Sequence, residues 1–273
     1  MRSRICVVIA DHRHDEYLTD LVNGLRTFVP AADLVIYNSG DPRIHGDHAC
    51  HESVPRISSS RPLLYAKVTP FFLDMFEWAA GGCYDYVLNA ETDMAWLKPG
   101  FEEFVVESMR DHDYMAPGFE RSTARTSRWR PYHSLRAELP ELMSLLRVTA
   151  TNRCFSPGQV FSARYIDRVV SSPIYPQLRD FVMRNQEPEK SFTLQEVLLP
   201  TLVDSLSLVP RDYPGHLRAV NRYRPYHASP SVKRAIDTPD AYFVHPIRRD
   251  NSDAARLAVR QLYATRPTVR ATT

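Results

Sequence analysis

Residues 84–100 read YDYVLNAETDMAWLKPG, and this stretch decides the fold. Gly81-Gly82 close off what precedes it, and Lys98-Pro99-Gly100 stop it again. Between them, Tyr84 to Leu88 has the pattern of a short strand covered on both faces. The strand runs straight into two acids, Glu91 and Asp93, with one residue between them. On an extended chain that spacing points both to the same side. Adjacent carboxylates repel unless a positive group sits between them. A hard cation such as Mg²⁺ or Mn²⁺ takes oxygen ligands, commonly one or two carboxylates with the oxygens of a diphosphate. The pair therefore suits docking of a nucleotide diphosphate through a metal. The alternative is two solvated turn acids that help cap the next segment.

Working outward, Ile5 to Ala10 is a second apolar, β-branched run. Residues 16–28 carry apolar positions at a helical period, and Pro30 ends them. Asp33 to Tyr37 is another buried strand, so the chain opens β-α-β, with parallel neighbours and a right-handed crossover expected. Residues 62–80 read as one long helix kinked at Pro70. A short helix over 101–110 and a strand over 113–116 follow. Residues 118–136 hold Arg121, Arg125, Arg128, Arg130 and Arg136 with Trp129 and Tyr132, the composition of a mobile basic loop. Further on come a helix over 139–148 and a strand over 160–163. A helical stretch over 165–184 is broken by Pro173 and Pro176. An amphipathic helix over 191–206 starts from Ser191 or Thr193 as N-cap. Strands at 206–209 and 241–244 and a last helix over 252–264 complete the reading. The fold class is α/β: a single domain with a mostly parallel central sheet flanked by helices. No linker cuts the chain.

The 273 residues carry 34 basic and 32 acidic side chains, a net charge of +2, which argues against a dedicated nucleic-acid binder. The four cysteines, Cys6, Cys50, Cys83 and Cys154, share no CxxC spacing, so no zinc knuckle or redox pair is written locally. Cys6 and Cys83 sit in apolar runs and are expected to be buried thiols. The first apolar run is too short for a signal peptide, and nothing approaches the ~20 apolar residues of a membrane span. A soluble, cytoplasmic protein is expected.

The run YDYVLNAETDMAWLKPGFEEFV resembles the strand–DxD–helix segment of glycosyltransferases of the GT-A fold. LLYAKVTPFFLDMF is similar to the helix before that motif, and ICVVIADHRHDEYLTDLVNGL with DLVIYNSGD resembles their nucleotide-binding β-α-β start. The resemblance covers roughly residues 4–250. It implies a GT-A-like (Rossmann-like) catalytic domain over 1–250. Residues 1–110 would form the nucleotide-sugar donor half and 111–250 the acceptor half, with 251–273 a C-terminal helix and tail. It also implies Mn²⁺ or Mg²⁺ at the ETD motif and a nucleotide-diphosphate sugar as donor. The first motif acid departs from the family pattern: it is Glu91, not Asp, so Asp93 is the stronger candidate for direct ligation.

The same resemblance carries over further residues. His245, in YFVHPIRR, is placed like the C-terminal His that joins the metal in several GT-A families; alternatively it hydrogen-bonds backbone at a strand end. TLQEVLLPTL looks like the acceptor-site segment of core-2 and xylosyltransferase-type enzymes, which makes Glu196 the candidate base for the acceptor hydroxyl. The alternative is a first-turn acid favoured by the helix dipole. Members of that subgroup work without a metal, Arg or Lys neutralising the diphosphate, and Lys67, Arg248 and Arg249 are candidates for that task. For base and ribose, the analogy points to Ala10, Asp11, Asn38 and Ser39 at the ends of the first two strands, with Arg61 or Lys67 nearby. Asp11 and Asn38 suit turn formation equally well. The implied acceptor is a small molecule, natural product, glycoside or cell-surface precursor.

Other classes fit less well. A nucleotidyltransferase acting on sugar phosphates usually has a Gly-rich loop after the first strand, and ADHRHDEY has no glycine. A dinucleotide oxidoreductase lacks its GxGxxG, and a serine hydrolase its GxSxG. A non-catalytic nucleotide-binding module, or a nucleic-acid module using the 118–136 loop, is the remaining alternative class.

Overall fold

The structure, a computed structural model, describes residues 3–13, 15–40, 54–122 and 129–266. The opening is β1 (Ile5–Asp11), α1 (Glu16–Phe28) and β2 (Asp33–Asn38). The Asp15 carboxylate caps α1 by accepting the Tyr17 N–H at 3.1 Å. β1 pairs in parallel with β2 and with β3 (Tyr86–Glu91). The central sheet continues through β8 (Val160–Ser162), β5 (Tyr114–Ala116) and β9 (Pro210–Asp212), in the order β2-β1-β3-β8-β5-β9. β5 and β9 are parallel, but β8 runs antiparallel to both its neighbours, so the sheet is mostly rather than wholly parallel.

Strand alternation divides the core. Cys6, Val8, Val35, Tyr37 and Val87 face one apolar cluster, which the helices α2 (Thr69–Ala79), α6 (Ala163–Val170), α7 (Tyr175–Arg184) and α8 (Gln195–Ser205) complete. Ile5, Val7, Ile9, Ile36, Leu88 and Ala90 face the other, under α1 and α3 (Phe101–Met109). A third cluster lies at one end. There β4 (Ala95–Trp96) pairs antiparallel with β10 (Phe243–Val244). Ala95, Val244 and Ile247 pack with Val232 and Ala235 of the 229–237 helix and with Ala255 and Val259 of the 254–264 helix. Fully buried Arg256 fastens this end to α1, donating to Asp20 at 2.9 Å.

Several expected elements move. The 62–80 helix shortens to α2, with Pro70 in its first turn instead of at a kink, because a proline there loses no intrahelical bond. The 191–206 helix starts only at Gln195: Thr193 takes a left-handed φ of 55°, and the Ser191 hydroxyl accepts from Asn185 instead of capping. The expected 206–209 strand is displaced to Pro210–Asp212. Cys83 is exposed, not buried. Within the 118–136 stretch, Glu120–Ser122 is a strand paired with Thr151–Arg153, and Arg130–Ser134 is a short helix. Arg125 and Arg128 lie outside the described residues, as does Cys50. No described helix is long and apolar enough to cross a membrane.

Candidate active site

The parallel strands set out the site. In register, Ala10 stands opposite Tyr37 on one side and Glu91 on the other, and Asp11 opposite Asn38. The expected donor-side residues Ala10, Asp11 and Asn38 thus share one sheet edge with the first acid of the ETD motif, the edge where open α/β sheets bind ligands. β4 turns back just after the motif. Its pairing with β10, and the bond from the Ile247 N–H to the Asp93 carbonyl at 2.9 Å, bring His245 alongside. One ligand atom from each of Glu91, Asp93 and His245 falls within 4.8 Å of the others.

The tautomer of His245 follows from its partner. Nδ1 lies 3.0 Å from the Arg222 carbonyl oxygen, which can only accept, so Nδ1 carries the proton. In the neutral ring Nε2 then presents a lone pair, 3.3 Å from Asp93 Oδ1; in the imidazolium it points a proton at that oxygen. That oxygen is shut off from water and accepts no hydrogen bond among the described residues. A lone pair facing a sealed carboxylate oxygen, with a second carboxylate beside them, is relieved by a cation between them. The donor set of two carboxylates and one imidazole fits Mn²⁺ or Mg²⁺, the imidazole favouring Mn²⁺. Burial and the neighbouring Asp93 push the Glu91 carboxyl up. Burial also opposes ionisation of Asp93, but His245 when doubly protonated, and Arg249, whose Nη2 is 3.5 Å away, outweigh it and hold Asp93 below the usual range.

Glu196 stands in the first turn of α8 and is 5% exposed. Its carboxylate accepts one hydrogen bond among the described residues, from the Ser156 N–H at 3.1 Å. Burial raises its pKa to about 8; the Ser156 amide lowers it, and the charge of Glu91 adds to the rise. That influence of Glu91 puts Glu196 in the same electrostatic neighbourhood as the triad.

Two expected donor-binding residues are engaged elsewhere. Arg61 is bidentate on buried Asp74, with both bonds at 2.9 Å. The Lys67 ammonium gives its three protons to the carbonyls of Asn185, Glu187 and Lys190, which leaves none for a phosphate. Asn38 accepts the Gly40 N–H at 3.0 Å, the turn-forming alternative. Arg248 is exposed, with its guanidinium 4.9 Å above the Tyr226 ring. Sequence reasoning missed the Arg222 carbonyl and the Ser156 amide, since backbone groups carry no residue signature. It also missed Asn89, whose side chain ties β3 to residues 156–159.

No protein-family model and no curated protein matches the chain. Solved structures do. The galactosyltransferase LgtC, in complex with donor and acceptor sugar analogues, aligns at a TM-score of 0.50 and 11% identity over 97% of each chain. An active-site mutant of LgtC aligns at 0.52 and 11% identity, again over 97% of each chain. The glycosyltransferase GlyE of Streptococcus pneumoniae aligns at 0.51 and 10% identity over 96% of this chain and 60% of its own. The fold is that of the GT-A glycosyltransferases.

Proposed function

We propose that this chain is a glycosyltransferase that moves a sugar from a nucleotide-diphosphate sugar to an acceptor hydroxyl, with the acceptor a small molecule or natural product. The observation that carries the reading is the convergence of Glu91, Asp93 and His245, with its sealed Asp93 oxygen, at the carboxyl edge of parallel strands. These three residues would hold Mn²⁺ or Mg²⁺, which when bound offsets charge on the leaving diphosphate. Arg249, beside Asp93, adds positive charge there, and exposed Arg248 is the neighbouring candidate to reach the diphosphate. Ala10, Asp11 and Asn38 border the nucleoside. Glu196 takes the proton of the acceptor hydroxyl as its oxygen attacks the anomeric carbon. The buried thiols of Cys6 and Cys154 suit a reducing compartment, so the reading is of a cytoplasmic enzyme.

The test is a thermal-shift panel of UDP, GDP, their sugars and nucleoside triphosphates, with and without Mn²⁺. A nucleotide sugar at 100 Kd adds about 2.7 kcal/mol of stability. The expected result is a shift that needs both the diphosphate and Mn²⁺ and is lost in Asp93→Ala. A response confined to triphosphates would favour nucleotidyl transfer, and no response at all would sink both readings. Product stereochemistry then tests Glu196. Proton abstraction during attack opposite the diphosphate inverts the anomeric centre, so a retained configuration removes the base role while leaving metal-dependent transfer in place.

A further inference from the structure

α8 carries a proline in its interior, Pro200, four residues after Glu196. In an uninterrupted helix the N–H of residue 200 would bond the carbonyl of residue 196. Proline has no N–H, and its ring crowds that carbonyl. The freed Glu196 carbonyl instead accepts the Cys154 N–H at 3.0 Å. Two residues on, the Ser156 N–H donates to the carboxylate of the same Glu196 at 3.1 Å. The backbone of residues 154–156 therefore holds Glu196 at both its main chain and its side chain.

The attachment continues along the helix. The Asn152 N–H donates to Thr201 Oγ1 at 2.9 Å, and Asn152 Nδ2 to the Pro200 carbonyl at 3.1 Å. The other end of the segment is fixed to the part of the fold that carries Glu91. Asn89, two residues before Glu91, donates to the Ser156 carbonyl at 3.2 Å and accepts the Gln159 N–H at 2.7 Å. Asn221 Nδ2 holds the Pro157 carbonyl at 2.8 Å, and the Tyr213 hydroxyl holds that of Gly158 at 2.7 Å.

We propose that Pro200 is a positioning residue: by vacating the Glu196 carbonyl it docks residues 154–156 onto α8, and the docked Ser156 amide fixes the Glu196 carboxylate toward the acceptor. The catalytic half of this inference rests on Glu196 being the base of the proposed transfer. An alanine at 200 supplies the missing N–H, which competes with Cys154 for the same carbonyl, and the Ser156 amide then loses its fixed relation to the carboxylate.

The experiment compares Pro200→Ala with Glu196→Gln and wild type. Turnover is read as Mn²⁺-dependent nucleoside diphosphate release from UDP-glucose, UDP-galactose or GDP-mannose, with water as acceptor. The water oxygen bonds to the anomeric carbon, the bond to the diphosphate breaks, and the proton passes to Glu196. Alongside it are measured Tm, the donor KM and hydrogen exchange at the Cys154 and Ser156 amides. Pro200→Ala is expected to keep or raise Tm, since alanine is the better helix former, and to leave donor KM within about twofold. Exchange at the two amides should accelerate at least ~10-fold, and kcat should fall roughly 10- to 100-fold, the scale of a slightly misplaced catalytic group. A merely structural proline would move Tm, KM and kcat together, and that outcome overturns the proposal. So do unchanged exchange and unchanged kcat in Pro200→Ala while Glu196→Gln is inactive. Wild-type turnover in Glu196→Gln overturns the base reading instead. Amide exchange in Pro200→Ala then still decides the docking: acceleration supports it and no change overturns it.

Discussion

A carboxyl group held nearly neutral at physiological pH is a cost the fold must carry, and Glu196 shows its sign. Its folded pKa is about 8 against an ordinary 4.5, so between those values the folded state keeps a proton that the unfolded chain gives up. Stability is therefore lost as pH rises through that window. Glu196→Gln removes the penalty. Its Tm should exceed that of wild type by several degrees at pH 9 and converge with it below pH 4.5, as followed by calorimetry across pH. Turnover should move the other way. A base needs the ionised form, so kcat should climb with pH and level off above about 8, and this limb should vanish in Glu196→Gln. Asp93 behaves differently because His245 and Arg249 favour its charge. Both acids stood out in the sequence as candidates, Asp93 from its place after a strand and Glu196 from the resemblance of TLQEVLLPTL to an acceptor-site segment. Their opposite electrostatics were not legible there, because the deciding neighbours lie about 40 to 150 residues away in the chain.

Two lysines show how an element can absorb a charge that the sequence offers to a ligand. Lys67 caps the end of α7 through the carbonyls of Asn185, Glu187 and Lys190. Lys98 treats the end of the 229–237 helix alike, through Ile236 and Thr238. Burial lowers the pKa of both ammonium groups. Helix C-termini attract cations for the same reason N-termini attract phosphates. Lys67→Met should destabilise the protein by about 1–3 kcal/mol, read as a lower urea midpoint, with nucleotide affinity unchanged. Lost nucleotide binding at full stability would return Lys67 to the donor site. Lys67 was a candidate for the diphosphate or the base through the family resemblance, and the carbonyls that claim it have no sequence signature. The helix starts were misjudged for a related reason. Periodicity continues through residues 62–68 and 191–194, but Ala66 and Thr193 take left-handed φ angles that no apolar pattern records.

At the scale of the molecule, the β-α-β opening was readable because β1 and β2 are largely apolar runs, whereas short polar strands such as β9 carry no such pattern. The strand over 160–163 was read, but its antiparallel direction was not, since β8 is only Val160–Ser162 and indistinguishable from a parallel strand by composition. The triad joins the central sheet, through Glu91 at the end of β3, to the end formed by β4, β10 and the last two helices, which supplies the imidazole. Mn²⁺ should therefore stabilise the whole chain rather than one loop. A chelator should lower Tm, and His245→Ala should narrow the Tm gap between Mn²⁺ and chelator, separately from the stability it loses in chelator with the Nδ1 bond to the Arg222 carbonyl. The triad spans residues 91 to 245, and this spacing governs when the site can exist. During synthesis the chain emerges from its N-terminus, with β1, β2 and β3 available long before β10. A ribosome-bound chain thus presents the two acids without their nitrogen partner, and the docked 154–159 segment without Asn221 to hold it. If the triad holds metal as proposed, competence to bind it arrives only once His245 has been made, so a chain ended before it has no assembled centre with which to waste a nucleotide sugar.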